Sequence, residues 1–120
     1  LMASAASEPF HIVRADVGEF LALMPGIEVR PLRVDTQART QTSLWRLAPG
    51  ARIPRHIHVA EEECLVLEGG VEWDGQPYQA GDYLLARAGA EHAPFVSPGG
   101  ALLMIRGELT AELMQVFRIG

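Results

Sequence analysis

Cysteine is nearly absent, with Cys64 the only one in 120 residues. An internal disulfide is therefore excluded, and with it the cross-linked scaffolds typical of small secreted domains. Long apolar runs are missing too: no stretch approaches the ~20 residues that a membrane-spanning helix needs. Basic residues are in short supply, 10 Lys and Arg against 15 Asp and Glu, for a net charge of −5. Nucleic acids and anionic membranes both require a basic patch, so neither is expected as a partner. The opening Leu-Met-Ala-Ser-Ala-Ala-Ser lacks the basic start and apolar core of a signal peptide. A cytoplasmic location is expected. Residues 1–8 read as a disordered leader or expression remnant, and 9–120 as one domain.

What is present suits a soluble globular domain. Hydrophobic residues make up 48% and charged residues 21%, ordinary values for such a chain. A chain of this size buries roughly 65% of its unfolded surface, enough for a core without cross-links. Phe10 to Asp16 alternates like a strand, and Phe20 to Met24 could form a short helical turn ended by Pro25-Gly26. From Ile27 onward the pattern is one of strands and turns. Residues 27–34 carry Pro31 and read as an edge strand. Asp35 to Thr40 reads as a hairpin loop and Gln41 to Leu47 as a strand. Ile53 to His58 is extended because Pro54 disfavours helix. Glu63 to Leu67 is a short strand that Glu68-Gly69-Gly70 turns back, and Asp74-Gly75 closes a hairpin after Val71 to Trp73. Tyr83 to Ala86, His92 to Val96 and Ala101 to Arg106 follow as strands. Leu109 to Phe117 reads as either a helix or an edge strand. Short strands with frequent Gly or Pro turns indicate an all-β sandwich or barrel.

The histidines carry the chemistry. His56 and His58 are two residues apart, so on a strand they share a face. Glu62 follows, and His92 comes after a Gly-Asp turn. Three imidazoles and a carboxylate suit one divalent transition metal ion per chain (zinc, iron, nickel or manganese), with donors at about 2.0–2.2 Å. Glu61, Glu62 and Glu63 are consecutive, so spacing alone does not fix which of them is the acid. If Glu62 faces inward, Cys64 and Val66 do as well; if Glu63 does, Leu65 and Leu67 line the interior. His11 reads as an ordinary surface or core residue.

Gly50-x5-His56-x-His58-x3-Glu62-x6-Gly69 resembles the first cupin motif. Gly81-x5-Arg87-x-Gly89-x2-His92 resembles the second, with Arg87 where the family usually has Pro. The phrases at 25–32, 47–58, 62–69 and 78–83 are similar to the cupin domain of ChrR-type anti-sigma factors, over about residues 24–106. The resemblance implies a single-domain cupin, a double-stranded β-helix or jelly-roll β-barrel spanning about residues 27–106. It implies His56, His58, Glu62 and His92 as metal ligands, and it favours Glu62 over Glu63.

Two functions fit that branch. One is a metal-dependent small-molecule enzyme of dioxygenase type, since small ring- and diketone-cleaving dioxygenases share it. The other is a non-catalytic metal-binding sensory or regulatory module. The zinc-binding segment that precedes the cupin in ChrR-type proteins has no counterpart in this sequence. A small-molecule ligand or substrate and a homodimer are expected in either case. Candidate pocket residues are Trp45, Cys64, Tyr83, Arg87, Phe95 and Met104. Cys64 reads as a small buried apolar residue, or as a redox-sensitive thiol if it faces the metal. Arg87 reads as a rim charge that at a pocket mouth could hold a substrate carboxylate. Trp73, beside a hairpin tip, reads as exposed or as part of a dimer surface.

Overall fold

The structure, a computed structural model, describes residues 9–54 and 56–119, without the side chains of His56 and His92. The leader expected over residues 1–8 lies outside the described residues. Among the described residues, eleven strands and one helix follow in order: β1 (Leu21–Met24), β2 (Ile27–Asp35), β3 (Thr40–Leu47), β4 (Ala51–Ile53), β5 (His56–Ile57), β6 (Glu62–Trp73), β7 (Gln76–Gln79), β8 (Tyr83–Ala86), β9 (Glu91–His92), β10 (Phe95–Ser97), β11 (Ala101–Glu108) and α1 (Ala111–Val116). The main sheet runs β1-β2-β3-β11-β6-β10-β4, with β7 and β8 also paired to β6, and β5 and β9 form a separate ribbon. Each of these pairings is antiparallel. Apart from α1 the described chain is all-β, as the cupin resemblance implies.

Strand β6 organises this arrangement. Its first residues pair with β8 and β11, its last four pair with β7, and its last two also pair with β10. The expected turn at Glu68-Gly69-Gly70 is therefore not a turn, and one strand of 12 residues passes through it. The glycines serve close approach instead. Gly69 has φ of 68°, and a Cβ there would overlap the Gly100 carbonyl. The ladder with β11 slips at this point: Val66 faces Leu103, but Glu68 faces Leu102, leaving Leu67 as an extra residue. Such a bulge reverses the strand's inward parity. Cys64 and Val66 are buried before it, and Val71 after it.

The core lies between the two halves of the curled sheet. Ile27, Leu47, Ile53, Val66, Val71, Phe95, Leu103 and Ile105 form its main cluster. A second cluster places Val29 against Leu109, Leu113 and Phe117. The tail is thus a helix, and its apolar stripe packs at the β1 side of the sheet. Thr110 starts it, its side-chain oxygen accepting from the Leu113 N–H at 3.2 Å.

Three other local expectations are corrected. Residues 10–16 form no strand. They lie in a segment held by Arg30, whose guanidinium donates to the carbonyls of Arg14 and Val17. Leu21–Met24 is a strand, because the Pro25-Gly26 turn returns it directly onto Ile27. That pairing makes β2 an interior strand, and a register shift between Pro31 and Arg33 accommodates the proline. The Asp74-Gly75 hairpin forms as expected, with positive φ at both residues (51° and 75°).

Candidate metal centre

The ribbon β5–β9 joins the two histidine motifs. His56 lies directly across from His92, and Ile57 across from Glu91. The ladder continues into the neighbouring turn: the His58 N–H donates to the Ala90 carbonyl at 3.0 Å, and the Gly89 N–H donates to the His58 carbonyl at 2.7 Å. Pro54 keeps the approach to this ribbon extended, and Gly89, with φ of 84°, makes the tight turn that returns the chain alongside it. His56 and His92, 36 positions apart and too far for any local motif to relate them, are thereby set in register.

The His58 side chain is 4% exposed. Its Nδ1 lies 3.7 Å from Oε2 of Glu62, whose side chain is 25% exposed. Both line a cavity of about 300 Å³ together with Cys64, Trp73, Leu84, Ala86, Arg87 and Phe95. Gly107 on β11 makes room for the acid. A Cβ there would lie 3.1 Å from Glu62 Cγ and 3.4 Å from its Oε2. Nothing in the sequence pattern singles out Gly107, because the requirement comes from a neighbouring strand.

Glu63 faces the other way. Its Oε1 accepts from the Tyr83 hydroxyl at 2.7 Å, and its Oε2 lies 4.0 Å from Arg106. The hydrogen bond to Glu63 also holds the Tyr83 phenol above its ordinary pKa. Glu62→Gln is expected to weaken metal binding by at least about tenfold, because a carboxamide is a poorer ligand than a carboxylate. Glu63→Gln should leave it within about twofold, its exposed ion pair contributing little. Titration of the two variants with a metal competed by a chromophoric chelator compares them directly. Equal losses would mean that the strand's parity does not select the ligand.

Of the other pocket candidates, Cys64, Arg87 and Phe95 line the cavity, and Trp45, Tyr83 and Met104 do not. Trp45 packs between the two apolar clusters. Tyr83 is 55% exposed on the outer face. Met104 sits across from Leu44 and Leu65, at a position that alternates with the buried Leu103 and Ile105. Trp73 is a wall residue that the sequence reading missed. It meets Phe95 edge-on at 6.0 Å between ring centroids, opposite it in the β10–β6 register. Period-2 counting from Glu62 puts Trp73 on the outer face, and the bulge at Leu67 brings it inside.

Burial, and then the neighbouring Glu62 charge, push the Cys64 thiol up to about 12 from 9.0. In metal-free protein it is therefore expected to resist iodoacetamide at pH 8 and to react on unfolding. The sign is that of a neutral form favoured by the fold. This contribution to stability is complete below pH 9.0 and is lost as pH rises towards 12. Rapid alkylation of the folded protein would contradict the burial.

The ChrR cupin-like domain family matches residues 9–110. The chain belongs to that family. No curated protein sequence matches it. Among solved structures, a protein of unknown function with a cupin-like fold from Ralstonia eutropha JMP134 superposes with a TM-score of 0.74 at 23% identity, over 88% of this chain and 70% of that one. An acetylacetone dioxygenase from Acinetobacter johnsonii gives a TM-score of 0.67 at 18% identity, over 90% and 78%. The Rhodobacter sphaeroides complex of SigE with the anti-sigma factor ChrR gives 0.66 at 22% identity, over 79% of this chain and 51% of that one. At these identities the likeness is one of fold. Among the described residues, no helix of this cupin is long and apolar enough to cross a membrane, and no group of three His, Cys, Asp or Glu side chains is clustered for a metal.

Proposed function

We propose that this cupin holds one divalent transition metal ion on His56, His58, Glu62 and His92 and acts as a mononuclear small-molecule enzyme of dioxygenase type. The observation that carries this reading is the register of His56 against His92, with His58 and Glu62 meeting at the wall of a mostly apolar cavity. Residues directly opposite in an antiparallel pair share one face of the ribbon, so the register brings the two histidine motifs to one place in the fold. The donor set fits zinc, iron, nickel or manganese alike. When bound, such an ion supplies Lewis-acid or redox chemistry. The protein's own part is to orient and to exclude water. Gly107 gives Glu62 its place, the Gly89 turn aligns the second histidine motif with the first, and Trp73, Phe95 and Leu84 keep the cavity apolar.

The membership in the ChrR cupin-like family favours a second reading, a metal-holding sensory or regulatory module without catalysis. In either case we place the protein in the cytoplasm as a homodimer with a small-molecule ligand. Elemental analysis before and after reconstitution, followed by oxygen uptake with acetylacetone or hydroxylated aryl ketones, separates the readings. Stoichiometric iron or manganese with uptake supports the enzyme. Zinc with all coordination positions filled, and no uptake, supports the module. The absence of any stoichiometric metal would end both.

A further inference from the structure

Among the described residues, one Arg or Lys side chain lines the cavity, that of Arg87. Four other arginines have a partner for their side chain. Arg33 pairs with Asp35, Arg46 with Glu28 and Arg106 with Glu63, while Arg30 donates to the carbonyls of Arg14 and Val17. The Arg87 guanidinium enters no such bond among the described residues. Its backbone is nevertheless firmly placed. The Arg87 carbonyl accepts from the Ala90 N–H at 2.9 Å, and Gly89 and Ala90 are themselves bonded to His58. The backbone that carries this charge thus stands at a defined position beside the histidine ribbon.

Glu62 and Glu91 are the carboxylates of the cavity wall, and the rest is mainly apolar: Cys64, Trp73, Leu84, Ala86 and Phe95. Without Arg87 such a wall would repel an anion. With it, the exposed rim of the cavity offers one fork of donors matched to a carboxylate. The volume of about 300 Å³ equals roughly ten water molecules, which limits the ligand to a small molecule.

We infer that the cavity takes a small carboxylate-bearing ligand, its chelating oxygens towards His58 and Glu62, its apolar body along Trp73, Phe95 and Leu84, and its carboxylate on Arg87. This rests on the reading of the histidine quartet as a metal centre. The test uses nickel-loaded protein and calorimetric titration with two β-diketones that differ in one end. One is 4,6-dioxoheptanoate, and the other is 2,4-heptanedione, which carries a methyl group in place of the carboxylate. Wild-type protein should bind the acid at least about tenfold more tightly. Arg87→Met should bring the acid's affinity down to that of the dione, and Arg87→Lys should keep part of the preference as a point charge without the fork. Equal affinities in the wild type, or a preference that survives Arg87→Met, would overturn the inference and leave the metal centre standing. Stoichiometric nickel with neither ligand bound would overturn it too. Failure to take up nickel would overturn the metal reading, and this inference with it.

Discussion

Replacing His92 by alanine is expected to weaken metal binding by about a hundredfold or more. Four-ligand sites bind a transition metal with roughly 10–16 kcal/mol in total, so one ligand carries about 3 kcal/mol. The chain position is what makes the experiment informative. His92 lies across the ribbon from His56, and the first motif stays intact in the variant. A competition titration against a chromophoric chelator measures the loss. Unchanged affinity would show that the second motif contributes no ligand, and the site would have to be rebuilt from His56, His58 and Glu62 alone. Losses in His92→Ala and Glu62→Gln, with Glu63→Gln unaffected, would assign the metal to the inner face of β6.

The second large effect concerns stability. Gly69→Ala is expected to destabilise the fold by at least about 3 kcal/mol, from two costs that add. A φ of 68° lies in the left-handed region that an L side chain adopts reluctantly. The new Cβ would also press on the Gly100 carbonyl, with the Ala101 Cα at 3.0 Å. Neither neighbour can give way, because both are backbone, and the Gly70 N–H donates to the same Gly100 carbonyl at 3.3 Å. Urea unfolding compared with the wild type reads the difference. Gly75→Ala is the control. It is also at positive φ (75°) but meets nothing within 4 Å, so it should cost only about 1–2 kcal/mol. If the two variants lose the same amount, close packing at the bend is not what requires Gly69.

Much of this protein could be read from its sequence, for reasons that are local. Alternation, turn glycines and the Asp74-Gly75 hairpin determine that the chain is β-rich, because strand period and positive-φ turns are properties of neighbouring residues. The motifs around His56, His58, Glu62 and His92 carry the cupin resemblance, and the family match over residues 9–110 bears it out. The helix at Ala111–Val116 was one of two open readings, and it was settled by the place its stripe finds against Val29.

What only the tertiary structure decided depends on partners distant in the chain. Glu68-Gly69-Gly70 has the composition of a turn, yet it runs on within β6 because β11 and β10 hold the strand extended on either side of the bend. The extra residue at Leu67 then changes which side chains face inward. That one slip puts Trp73 in the cavity wall with Cys64, a position no period-2 count from Glu62 can reach. Gly107 is required by Glu62, on the other side of a strand pair. Sequence spacing could propose residues for the centre, but the room around them is set by register between strands, and register is a property of the folded sheet.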